Sequence, residues 1–122
     1  MRALQNAPDI LVFDSGLGGL TVFAEISRAR PLARYRYLAD DVVFPYGELS
    51  PERVIARVEE VLAPEISQQK PDVIVIACNT ASTLVLAPLR AKYPDIPFVG
   101  TVPAVKPAAE KSRSRLISVL AT

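Results

Sequence analysis

At 122 residues, half of them apolar, the chain is long enough to bury one core and too short for two. Its 14 basic residues against 13 acidic ones leave a net charge of +1, and lysines and arginines stand singly along the chain, which argues against a nucleic-acid partner. A single cysteine and no histidine exclude an internal disulfide and a zinc site, which needs several soft ligands, and point to a reducing, cytoplasmic compartment.

The amino-terminal stretch Met1–Pro8 lacks the apolar segment of a signal peptide. No apolar run approaches the ~20 residues of a spanning helix, so no membrane partner is expected. The first strand is expected at Ile10-Leu11-Val12-Phe13, followed by a glycine-rich turn and a helix over Gly19–Arg30. A second strand, Tyr35–Leu38, leads into the loop Asp40–Gly47. The clearest helix follows: Ser50 can cap it, Pro51 suits its first turn, and Val54, Val58, Val61 and Leu62 recur on one face. Val73–Ala77 forms a third strand, ending in Cys78, and a helix spans Thr80–Lys92. Strands at Pro97-Phe98-Val99 and Leu116–Leu120 flank a last helix over Pro103–Arg113. Pro88 and Pro107 should shorten or kink the helices that hold them. The order βαβαβαβαβ describes a doubly wound parallel sheet with helices on both faces, and residues 1–122 read as one α/β domain without repeat or linker. Its last residues have the character of a strand just reaching its functional loop, as if the chain were cut there.

In open parallel sheets, ligands bind outside the carboxyl ends of the strands, where the topology switches direction. Polar residues gather there. Asp14 and Ser15 stand in a glycine-rich turn, Asp40, Asp41, Tyr46 and Gly47 in the second loop, and Cys78, Asn79 and Thr80 in the third. A thiol between a strand end and a helix start lies beside unpaired N–H groups and the positive end of the helix dipole, which favour the thiolate. The same cysteine also suits a small core position. Gly16-Leu17-Gly18-Gly19 serves a tight turn or, with Asp40 as a ribose-binding acid, a dinucleotide fingerprint whose third glycine is replaced by Thr21. Asp40 and Asp41 otherwise read as solvated loop acids, and Pro45-Tyr46-Gly47 as an ordinary turn.

Together, Phe13-Asp14-Ser15-Gly16-Leu17-Gly18-Gly19-Leu20-Thr21, Pro45-Tyr46-Gly47, Ala77-Cys78-Asn79-Thr80-Ala81-Ser82 and Leu120-Ala121-Thr122 resemble the amino-terminal half of the glutamate racemases, of the Asp/Glu racemase family, in order and spacing from Ile10 onward. The resemblance implies a flavodoxin-like half of a two-domain enzyme that interconverts L- and D-glutamate without a cofactor and supplies D-glutamate for peptidoglycan. It implies two cysteines, one on each face of the substrate, with Cys78 as the first. Asp14 and Ser15, Tyr46 and Gly47, and Asn79 and Thr80 correspond to substrate-binding positions, with Asp14 also assisting proton transfer near Cys78. Without pyridoxal phosphate as an electron sink, such chemistry rests on positioning and electrostatics.

The family's second cysteine lies in a Cys-Thr-His segment of a second domain, and neither another cysteine nor any histidine occurs here. Asp40-Asp41-Val42-Val43-Phe44 also departs from the more frequent Gly-Asp-Thr-Ala-Arg version, keeping the first acid at Asp40. The expectation is therefore a first domain that is inactive alone. Its partners would be glutamate, the missing second domain and, through the apolar surface left uncovered, a second copy in a homodimer. The alternatives are a racemase of aspartate or another small amino acid, and a non-catalytic α/β binding module.

Overall fold

The computed structural model describes residues 7–120. Strands β1 (Asp9–Asp14), β2 (Arg34–Ala39), β3 (Val73–Ile76) and β4 (Phe98–Gly100) form one parallel sheet in the order β2-β1-β3-β4. The central pair β1 and β3 carries continuous apolar runs, Ile10-Leu11-Val12-Phe13 and Val73–Ile76, because both of its faces are covered. On one face, Leu11, Phe13, Ile74 and Ile76 pack with Val54, Val58 and Leu62 of helix α2 (Pro51–Gln69) and Val85 and Leu89 of α3 (Asn79–Lys92). On the other, Ile10, Val12 and Val75 meet Val22, Phe23 and Ile26 of α1 (Leu20–Ala29). The doubly wound reading holds, with β1 and β3 meeting at the switch in direction.

The helix expected from Ser50 forms as read: Ser50 Oγ accepts the Arg53 N–H at 3.3 Å, and Pro51 occupies the first turn, where its missing N–H costs no helical bond. Pro88 does not shorten its helix. α3 continues through it for 14 residues, with Val85 and Leu89 on either side fully buried, so tertiary burial outweighs the lost backbone bond. Pro107 falls in the first turn of α4 (Val105–Lys111), where it is tolerated, although this helix is shorter than the expected Pro103–Arg113.

The fifth strand does not form. Leu116–Leu120 carries no strand pairing, and Leu116, Val119 and Leu120 are exposed. An apolar run becomes a strand only when a neighbouring edge and a covering layer receive it. The connecting α4 buries no residue, and β4 is only three residues long. Ala121 and Thr122, the end of the last resembling segment, lie outside the described residues.

The register brings the functional turns together. Asp14 pairs with Ala39, Phe13 with Ile76, and Ile76 with Gly100. Backbone bonds continue beyond the strands from Asp40 N–H to the Asp14 carbonyl (2.9 Å) and from Ala77 N–H to that of Phe13 (2.7 Å). Three loops therefore leave the sheet from one level.

Candidate active site

At the switch point the β1–α1 and β3–α3 turns touch. Ser15 Oγ lies 3.6 Å from Cys78 Sγ, and both residues are buried, as is Asp14. Cys78 is the N-cap of α3, its sulfur accepting the Ala81 N–H at 3.4 Å, so the thiol occupies the expected place between strand end and helix start. It also belongs to the buried cluster that holds Phe13 and Tyr46. The core reading and the reactive reading of this residue are thus compatible.

Asp14 organises its own turn. Its Oδ1 accepts the Ser15 N–H at 2.8 Å and its Oδ2 the Gly19 N–H at 2.7 Å, anchoring the start of α1. A Cβ on Gly19 would stand 2.8 Å from the Tyr37 hydroxyl, 2.9 Å from Asp14 Cβ and 3.0 Å from Ala77 Cβ, so this close approach admits only glycine without rearrangement. The Tyr37 hydroxyl donates to the Gly16 carbonyl at 2.9 Å and lies 3.5 Å from Asp14 Oδ2. Burial, helped by the negative charge of Asp14, pushes the Tyr37 phenol up to about 12.

The second loop is held differently. Asp40 is buried and its carboxylate accepts Arg57 Nη2 at 2.7 Å, Arg57 Nε at 2.9 Å and the Tyr46 hydroxyl. The arginine fork holds the Asp40 carboxyl below the usual carboxylate range, against the opposing effect of burial. Burial and the facing Asp40 push the Tyr46 phenol far up. The solvated reading of Asp40 is therefore corrected, while Asp41 is exposed. The acid that a dinucleotide reading would offer to a ribose is already engaged by Arg57 and Tyr46.

A cleft of about 430 Å3 opens above these turns, lined by Ser15, Phe44, Pro45, Tyr46, Gly47, Glu48 and Thr80. Ser15, Gly47 and Thr80 thus meet around one space; Asp14 and Cys78 are not among its lining residues and reach it through their contacts with Ser15. Tyr46 reaches the cleft from a buried position with its hydroxyl committed to Asp40. Asn79 opens α3 as an exposed residue outside the cleft lining. Buried Ser82 donates to the Ile76 carbonyl at 2.9 Å and accepts the Thr101 N–H at 3.0 Å, tying α3 to the end of β4. Sequence reasoning missed Tyr37, Arg57 and Thr101. Only Arg57 left a signal, a charge three residues after Val54 inside an apolar helical stripe.

The sheet order and the gathering of a carboxylate, a hydroxyl and a thiol at the switch point define a doubly wound α/β domain, a class whose ligand sites lie outside the carboxyl ends of the strands. No family model matches the chain. It is 57% identical over 113 residues to the glutamate racemase of Brucella ovis and 56% identical over the same length to that of Brucella anthropi, in each case over 93% of the chain and 41% of the relative. Among solved structures, it matches Escherichia coli glutamate racemase, in complex with L-glutamate and the activator UDP-MurNAc-ala, at TM-score 0.83 and 45% identity, covering 88% of this chain and 40% of that one. The Aquifex pyrophilus glutamate racemase matches at TM-score 0.75 and 40% identity, covering 86% and 41%. The chain is a homologue of the glutamate racemases over nearly all of its own length, and it spans about two fifths of theirs.

Proposed function

We propose that this chain is the first domain of a two-domain, cofactor-independent glutamate racemase, with Cys78 as one of two acid/base thiols. The contact of Cys78 Sγ with Ser15 Oγ, which lines the cleft, at the switch point carries this reading. The α-proton of an amino acid is very weakly acidic, so its removal needs a desolvated, pre-positioned base and donors for the charge that develops on the carboxylate. Cys78 would take or return that proton on one face of the substrate. Ser15 and Thr80 would supply hydroxyl donors, with Tyr46, Gly47 and Asn79 completing the substrate contacts. Asp14 would assist by fixing the Ser15 turn, whose N–H its carboxylate accepts and whose hydroxyl lies beside the thiol. The opposite face requires a second thiol from a second domain, so the chain alone is proposed to be inactive and free to associate as a homodimer. The D-glutamate formed would serve peptidoglycan synthesis in the cytoplasm.

The test joins this chain to the carboxyl-terminal remainder of the Brucella ovis relative and follows the optical activity of L- and D-glutamate, with aspartate as competing substrate. Turnover of glutamate is expected in both directions, reduced about 10²–10⁴-fold by Cys78→Ser. Unchanged turnover in Cys78→Ser would overturn the assignment of the thiol, and faster turnover of aspartate would overturn that of the substrate.

A further inference from the structure

Arg57 lies outside every motif that carries the resemblance, yet it holds the acid that anchors Tyr46 of the cleft lining. Its Nε and Nη2 grip both oxygens of Asp40, at 2.9 and 2.7 Å, from the flank of α2. Asp40 in turn accepts the Tyr46 hydroxyl, and its own N–H donates to the Asp14 carbonyl at 2.9 Å. Tyr46 begins the short 3-10 turn Tyr46–Glu48, closed by Glu48 N–H to the Pro45 carbonyl (3.3 Å) and Leu49 N–H to that of Tyr46 (3.0 Å). Tyr46, Gly47 and Glu48 line the cleft opposite Ser15 and Thr80.

We propose that Arg57 is a positioning residue. Through Asp40 and Tyr46 it sets the height of the Tyr46–Glu48 turn against the Asp14–Ser15 turn, and so fixes the width of the cleft that receives an amino-acid carboxylate. The chain of contacts is continuous from α2 to the cleft lining, and each link is a directed hydrogen bond. A charge-assisted fork on a buried carboxylate holds geometry more firmly than a single neutral bond. Arg57 also donates to Glu60 at 3.3 Å, which restrains the guanidinium from its outer side. A merely stabilising ion pair would affect the whole fold; this one should affect the turn before the sheet.

The inference rests on the proposed glutamate site for its ligand, but not for the turn. The experiment therefore reads both, using the 122-residue chain for exchange. Hydrogen exchange at the Glu48 and Leu49 amides is compared with exchange at Val12 and Val75 in wild type, Arg57→Ala, Arg57→Lys and Tyr46→Phe, and L-glutamate is titrated into each of these joined to the carboxyl-terminal remainder of the Brucella ovis relative. In Arg57→Ala, the turn amides are expected to exchange at least about tenfold faster while the sheet amides keep their protection, with glutamate affinity falling by a similar factor. Arg57→Lys, which keeps the charge without the fork, should recover part of both. Tyr46→Phe removes one link with little change in packing and should loosen the same amides, which keeps the test decisive if Arg57→Ala does not fold. Unchanged turn exchange, or equal loss of protection in turn and sheet, would overturn the proposal. Failure of the wild-type joined protein to bind glutamate while the turn amides respond as expected would overturn the ligand and leave the positioning role supported.

Discussion

Asp40 shows how a buried acid makes stability depend on pH. Its folded carboxyl titrates below the ordinary 3.8 because Arg57 favours the charged form, so the folded state gives up this proton more readily than the unfolded chain does. The stabilisation is complete above 3.8 and is lost as pH falls through the depressed folded value. Asp40→Asn, which resembles the protonated acid, should therefore lower the Tm at neutral pH, and its difference from wild type should shrink once pH falls below 3.8. Thermal melts across that range check this; a constant difference would mean that the carboxylate charge contributes nothing. Gly19 offers a steric counterpart. A methyl group there meets Tyr37, Asp14 and Ala77 at once, so Gly19→Ala should cost about 1–3 kcal/mol in denaturant unfolding. A neutral result would show that the turn can move aside. The sequence pointed to Asp14, Ser15 and Cys78 because their positions follow from strand ends. It misread Asp40, because the partner that buries this acid lies 17 residues away on another element. Tyr37 left no signal at all: within an alternating strand, nothing marks which tyrosine will lean over a turn.

Among the elements, those with a local cause were legible. α2 combines a capping serine, a proline at its start and a buried stripe at Val54, Val58 and Leu62, and all three features operate in the fold. Ser50→Ala should remove the acceptor for the Arg53 N–H and destabilise the chain by about 1 kcal/mol, measured by urea denaturation at unchanged m-value. No loss of stability would mean that water replaces the cap fully. The elements that were misjudged depend on distant context. α3 tolerates Pro88 because its neighbours Val85 and Leu89 are anchored in the core, which no local helix rule registers. Leu116–Leu120 is apolar enough for a strand, but a strand also needs an edge to pair with, and apolarity does not say whether one is within reach.

Across the whole molecule, burial is unevenly distributed. The larger cluster lies between the sheet and the α2–α3 pair, a smaller one lies under α1, and α4 contributes no buried residue. Beyond Val102, where the backbone bond from Thr101 to Ile76 has already closed the end of β4, the described side chains are almost all exposed. Free energy of opening follows burial, so the segment after Val102 should open without the sheet, and the sheet should not depend on it. A chain ending at Val102 is therefore expected to unfold cooperatively, with stability within about 0.5 kcal/mol of the full chain, as for other changes that touch no core contact. Cys78 should keep its alkylation rate, because Ser15, Ala81 and the α3 N-terminus that surround it all remain. If the shortened chain instead lost its cooperative transition, the exposed apolar residues Val105, Leu116 and Val119 would have to contribute to stability through contacts between copies of the chain. Sedimentation of the full chain at several concentrations would then show association that the shortened chain lacks.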